Sequence, residues 1–171
     1  DFSIVCGDTL RNPAFLDGSH LRTFDIVLAN PPYSIKEWDR AAFENDKWGR
    51  NFLGTPPQGR ADYAFVQHIL ASMDEKNGRC AILLPHGVLN RMGEESKLRQ
   101  KLIELDIIDC VISIGKNLFY NSAMEACILL CRSKKNNAQK GNILFIRATD
   151  LVERKNNVSY LTEDHIQQIV D

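Results

Sequence analysis

Residues Asp25 to Tyr33 read DIVLANPPY. DIVLA is a continuous apolar run of strand length. It stops at Asn30-Pro31-Pro32-Tyr33, where two consecutive prolines fix two φ angles near −65° and delete two N–H donors. A residue before proline is held out of the helical region, so Asn30 and Pro31 both stay extended. The strand cannot flow into a helix here. It gives way to a stiff strip: an amide side chain, carbonyls with no competing N–H beside them, then an aromatic ring. Such a strip suits a planar group bearing an NH₂. A nucleobase fits, with its exocyclic amine on the acceptors and its face on Tyr33. The rival reading is a proline turn that ends a strand and packs a tyrosine.

Working outward, the chain alternates. Phe2 to Cys6 reads as a short strand ending in Gly7-Asp8. Ser34 to Arg60 is a long polar stretch holding Gly49, Gly54, Pro56, Pro57 and Gly59. From Ala61 to Glu75 the apolar residues recur at helical spacing, with Phe65, Ile69 and Met73 on one line and Val66 and Leu70 beside it. Asn77-Gly78 ends that helix. Cys80 to Leu84 reads as a buried strand and Glu94 to Leu105 as a second helix. Ile107–Ile114, Ala126–Cys131 and Ile143–Ile146 read as three further strands. Thr162, with Glu163 and Asp164 in the first turn, starts a last helix running to Val170. This alternation predicts a single open α/β domain with mainly parallel strands. The link from Ile114 to Ala126 is short and lacks a helical period, so those two strands are expected to pair antiparallel. SKKNNAQKG, Ser133 to Gly141, reads as a solvated turn.

The 171 residues fit one domain, with 21 Lys plus Arg against 22 Asp plus Glu and a formal net charge of −1. A chain with no net basic field is not a nonspecific nucleic-acid coat, so any nucleic acid must be met by a local patch or a partner. With 44% hydrophobic and 25% charged residues the chain is too apolar for disorder. It has no apolar run long enough to span a membrane. The five cysteines (Cys6, Cys80, Cys110, Cys127, Cys131) form no C-x-x-C pair, and their odd count suits reduced thiols of an intracellular protein; most sit inside apolar runs and read as small core residues. The four histidines are scattered, so no metal site is expected. The opening at Asp1 is read as the interior of a longer chain rather than a signal peptide.

NPPY after an apolar strand resembles the signature of S-adenosylmethionine-dependent amino-methyltransferases, above all DNA adenine-N6 methyltransferases. The likeness extends through CGDTL (Cys6 to Leu10), RADYAFVQHIL (Arg60 to Leu70), GRCAILLPHGVL (Gly78 to Leu89) and LFYNSAMEACILL (Leu118 to Leu130), in the family's order. The tail ILFIRATDLVERKNNVSYLTEDHIQQIV also fits the pattern of one subfamily. The chain thus resembles the modification subunit of type I restriction–modification systems over nearly its whole length.

The resemblance implies a partial Rossmann-like fold with an antiparallel strand in its later part. It also implies roles. The side-chain oxygen of Asn30 and the main-chain oxygen of Pro31 would accept the two N6 hydrogens of a flipped adenine, on a strip stiffened by Pro32. Tyr33 would stack on one face of that base and Phe119 on the other. Asp8 would accept from the amino group of the cofactor's adenine, and Phe65 would wall that adenine. A separate specificity subunit would select the DNA, a restriction subunit could complete the system, and the setting would be cytoplasmic, without a membrane. The family's glycine-rich cofactor loop is not among these residues, because no two of the ten glycines are spaced two apart. The chain is therefore expected to be the carboxyl-side part of a catalytic domain, inactive alone, with an exposed sheet edge that could pair with another copy. Two other readings remain: a related enzyme acting on a cytosine N4, an RNA base or a protein Gln, and a noncatalytic partner-binding module. Cytosine enzymes more often carry Ser where Asn30 stands.

Overall fold

A computed structural model describes residues 2–119, 124–155 and 158–171. Residues 120–123 of the LFYNSAMEACILL stretch lie outside the described residues. In chain order the elements are β1 (Leu16–Asp17), β2 (His20–Leu21), β3 (Ile26–Ala29), α1 (Arg40–Glu44), α2 (Asp62–Ala71), β4 (Arg79–Pro85), a 3-10 turn (His86–Leu89), α3 (Glu94–Glu104), β5 (Ile108–Ile114), β6 (Ala126–Arg132), β7 (Leu144–Ala148), β8 (Glu153–Lys155), β9 (Val158–Tyr160) and α4 (Glu163–Val170).

The apolar runs pair into one five-stranded mixed sheet of order β3-β4-β6-β5-β7. β3 lies parallel to β4, and β5 parallel to β7. β6 inserts between β4 and β5, antiparallel to both, with Cys80 opposite Cys131 and Ile112 opposite Ile128. The short Ile114-to-Ala126 link does join antiparallel neighbours. The two faces obey the period of two. One face packs Cys80, Ile82, Leu84, Val111 and Leu129 against Val66, Ile69 and Leu70 of α2 and Leu98 and Leu102 of α3. The other carries Cys110, Ile112, Ile114, Leu83, Ile128 and Leu130, with Ile169 of α4 against it. Four of the five cysteines are buried thiols and Cys6 is exposed.

Three expectations need correction. Phe2–Cys6 belongs to no strand, and Phe2, Ile4 and Val5 are exposed. An apolar run has strand propensity, but a strand exists only where a partner completes its ladder. The helix read as Ala61 to Glu75 closes earlier, at Ser72, because Phe24 captures the next segment through Phe24 N–H to Ser72 O and Asp74 N–H to Phe24 O, both 2.9 Å. The polar stretch 34–60 also contains α1, capped by Asp39 accepting from the Ala42 N–H. At the far end, Thr162 caps α4 as expected, in a capping box with His165.

β3 pairs with β4 alone among the named strands, so its outer side is an edge, and Ile26 and Leu28 on it are 58% and 77% exposed. The carboxyl ends of β3 and β4 open toward the same end of the sheet. In an open α/β sheet that is where ligands bind.

Candidate active site

The Asn30-Pro31-Pro32 strip leaves β3 and forms part of a cavity of ≈ 490 Å³. Its walls include Asp8, Leu10, Asn30, Pro31, Pro32, Ile35, Trp38, Phe65 and His68. Asn30 also borders a second, apolar groove of ≈ 730 Å³ with Phe119, Leu28, Leu83 and Tyr160. Asp8, Asn30, Pro31, Pro32 and Phe65 are thus brought together in one cavity, and Asn30 and Phe119 in the adjoining one. Tyr33 lines neither.

The strip presents the acceptors its sequence promises. Asn30 is exposed, and neither its side-chain amide nor the Pro31 carbonyl has a hydrogen-bond partner among the described residues. Burial raises the Tyr33 phenol pKa, and the nearby Cys127 adds to the effect. Asp8 divides its carboxylate. Oδ1 accepts the Leu10 and Arg11 N–H groups at 3.0 and 3.1 Å, which forms a local turn. Oδ2 carries no bond among the described residues, and Asp8 is one of the residues lining the cavity. Phe65 is half-buried beside Leu10, Phe43 and Trp38.

A buried arginine that no local sequence signal singles out ties the site together. Arg50 is 1% exposed. Its guanidinium donates to Asp46 Oδ1 from Nε and Nη2 at 3.0 and 2.6 Å, to the Thr9 carbonyl at 2.9 Å and to the Leu10 carbonyl at 2.7 Å. Burial opposes charge on Asp46, but the Arg50 hydrogen bonds outweigh it and its pKa falls. The clamp fixes the turn that carries Asp8 to the loop after α1. The same guanidinium stands 3.3 Å from His68 Nδ1. Arginine can only donate, so that nitrogen accepts and the ring proton sits on Nε2. Burial, then the Arg50 charge, push the His68 pKa down to about 4, leaving a neutral imidazole in the cavity wall.

Trp38 is the other residue composition did not flag. Its indole Nε1 donates to the Gln58 carbonyl at 2.8 Å, and its ring meets Phe43 edge-on at 5.7 Å. An aromatic a few residues past a proline strip was the available signal. Among the described residues no group of three His, Cys, Asp or Glu side chains could hold a metal ion, and no helix is long and apolar enough to cross a membrane.

The chain is similar to known proteins. The profile of the N-6 DNA methylase family matches residues 1–171. The MjaIX methylase subunit of a type I restriction enzyme from Methanocaldococcus jannaschii is 32% identical over 96% of this chain and 29% of its own length. The HindI methylase subunit from Haemophilus influenzae is 33% identical over all of this chain and 37% of its own length. The crystal structure of a type I restriction–modification methyltransferase subunit from Streptococcus thermophilus superposes with a TM-score of 0.84, at 32% identity, covering 95% of this chain and 34% of that one. The chain therefore spans about a third of the length of the relatives it matches.

Proposed function

The chain belongs to the N-6 DNA methylase family, and from that premise we propose that it carries the amine-binding part of an adenine-N6 DNA methyltransferase that uses S-adenosylmethionine. The observation that carries this reading is the pair of unclaimed acceptors, Asn30 Oδ1 and the Pro31 carbonyl, at the junction of two cavities.

The N6 lone pair of adenine is conjugated into the ring and is a poor nucleophile. Two acceptors that take its two hydrogens favour a tetrahedral nitrogen and hold its lone pair in one direction. That is catalysis by positioning and preorganised electrostatics. Pro31 and Pro32 keep the acceptors from relaxing, since their φ angles are fixed and no N–H of theirs competes. S-adenosylmethionine, when bound, supplies the electrophilic methyl group. The ≈ 490 Å³ cavity suits the adenine end of that cofactor, with the free Asp8 Oδ2 for an amino group and Phe65 for a ring face. Phe119, which lines the apolar groove with Asn30, is the platform for an extruded base; Tyr33, next on the strip but outside both cavities, is assigned the second platform from the sequence resemblance alone.

The 171 residues act as the carboxyl-side part of a larger catalytic domain. The absence of any G-x-G spacing and the open, apolar edge of β3 support this. The MjaIX and HindI relatives are subunits of type I restriction enzymes. By the same reasoning this protein works in the cytoplasm with a specificity subunit that selects the DNA, and with a restriction subunit where the system cleaves. The net charge of −1 fits a chain that leaves sequence reading to a partner. The test is the product. The assembled protein, given S-adenosylmethionine and its DNA, should yield N6-methyladenine by nucleoside mass spectrometry. N4-methylcytosine instead would replace the adenine reading.

A further inference from the structure

Ser34 directly succeeds the NPPY strip and has φ +50°, a left-handed conformation that non-glycine residues rarely hold without support. The support comes from Asp62, at the start of α2. Its Oδ1 accepts the Ser34 N–H at 2.8 Å, and its Oδ2 accepts the Ser34 hydroxyl at 3.3 Å. Arg91, after the 3-10 turn beyond β4, donates from Nη1 to Asp62 Oδ2 at 2.7 Å and from Nη2 to Ser34 Oγ at 3.2 Å. Glu95 of α3 accepts from the same Arg91 Nη1 at 3.2 Å, and from Arg60 at 3.0 Å. Asp62 and Glu95 are each 1% exposed, so two buried carboxylates are balanced by two guanidiniums.

Gly87 belongs to the same device. A Cβ there would stand 2.6 Å from Arg91 Nε and 2.9 Å from Nη2, so the missing side chain is the space the guanidinium fills. The loops after β3 and after β4 are thereby fixed to each other and to both helices. β3 holds one end of the proline strip. Without Asp62 the Ser34 N–H has no partner among the described residues, and that end keeps only the Arg91 Nη2 contact to Ser34 Oγ.

We infer that Asp62, oriented by Arg91, is a positioning residue that locks Ser34 in its left-handed turn and so aims the Asn30 and Pro31 acceptors. The inference rests on the methyltransferase reading of the strip. A buried ion pair kept only for stability would also bind two carboxylates to two arginines, but it would not need to grip the backbone of the one strained residue beside the acceptors.

The test measures methylation by the assembled protein for Asp62→Ala, Asp62→Asn, Gly87→Ala, Ser34→Gly and the Asp62→Ala/Ser34→Gly pair, with Asn30→Ala in parallel. Misplacement near 1 Å can lower a rate about 100-fold, so Asp62→Ala should reduce kcat on the order of 10- to 100-fold while KM for the cofactor stays within about twofold. Asp62→Asn keeps an acceptor for the Ser34 N–H and should retain more activity. Glycine adopts φ +50° freely, so Ser34→Gly should restore several-fold of the rate lost in Asp62→Ala, although it does nothing for the ion pair with Arg91. Gly87→Ala, which leaves Asp62 in place and displaces Arg91, should lower kcat in the same direction. It keeps the question answerable if Asp62→Ala does not fold. If Asn30→Ala methylates normally, the reading of the strip itself falls, and this inference with it. If Asn30→Ala is impaired while the Asp62 and Gly87 variants keep parental kcat, or while Ser34→Gly restores nothing, positioning by Asp62 is refuted.

Discussion

Acidification from pH 8 to pH 5 should weaken the fold by about 2 kcal/mol through His68 alone. In the fold, burial and the Arg50 charge hold the imidazole pKa at about 4, against an ordinary value of 6.5. The unfolded chain therefore takes up a proton as pH falls below 6.5, while the folded chain resists until about pH 4. The stability that depends on a neutral His68 is complete above pH 6.5 and is lost progressively down to pH 4. At pH 5 proton uptake shifts the equilibrium toward the unfolded state by a factor of about 30, which is about 2 kcal/mol, and the full loss below pH 4 approaches about 3 kcal/mol. Denaturant unfolding at the two pH values, on the parent and on His68→Gln, isolates this share, because the variant has nothing to titrate at that site. The variant should lose about 2 kcal/mol less than the parent between pH 8 and 5. An imidazole titration by NMR should place the His68 midpoint near 4. A midpoint near the ordinary 6.5, or equal pH dependence in parent and variant, would refute the claim that the Arg50 clamp and burial keep this ring neutral.

Arg50→Met should cost about 3–5 kcal/mol, since it leaves the buried Asp46 carboxylate without its counter-charge, held only by the backbone N–H groups of residues 48 and 50, and strips the Thr9 and Leu10 carbonyls of their donor; a chemical-denaturation midpoint reads this. Tyr33→Phe should keep most methylation and Tyr33→Ala should not, as a stacked ring is worth about 1–3 kcal/mol per base. Phe119→Ala should weaken capture of an extruded base, reported by a fluorescent base analogue at the target position. If it instead lowers stability by about 3–5 kcal/mol with normal extrusion, Phe119 is core.

The parts of the fold legible in the sequence are those whose chemistry is local. CAILL, IIDCVISI and ACILLC are apolar enough to be strands on any face, and the structure buries them. The short Ile114–Ala126 link sufficed for the antiparallel pair. Asn30-Pro31-Pro32 is rigid by covalent geometry, so its acceptor strip could be read without a fold. The rest depends on distant partners. Arg50 lies in a polar stretch, and only the folded Thr9–Leu10 turn makes it a buried clamp. Nothing local marks Ser34 as left-handed, since its anchor Asp62 is 28 residues away. Phe2–Cys6 misled because strand propensity does not supply a pairing partner. His68 is one of four scattered histidines in the sequence, and only the fold sets Arg50 against it.

The amine-acceptor role of Asn30 is tested most directly by the rate of N6-methyladenine formation in the assembled protein with Asn30→Ala, alongside calorimetric binding of S-adenosylmethionine. Asn30 makes no side-chain hydrogen bond among the described residues, so its removal should leave the fold intact. Loss of one preorganised partner should slow methylation by about 10²–10³, by analogy with removal of an oxyanion-hole donor, with cofactor affinity nearly unchanged. Methylation at the parental rate by a folded Asn30→Ala protein would contradict the assignment of the strip as the amine-binding site.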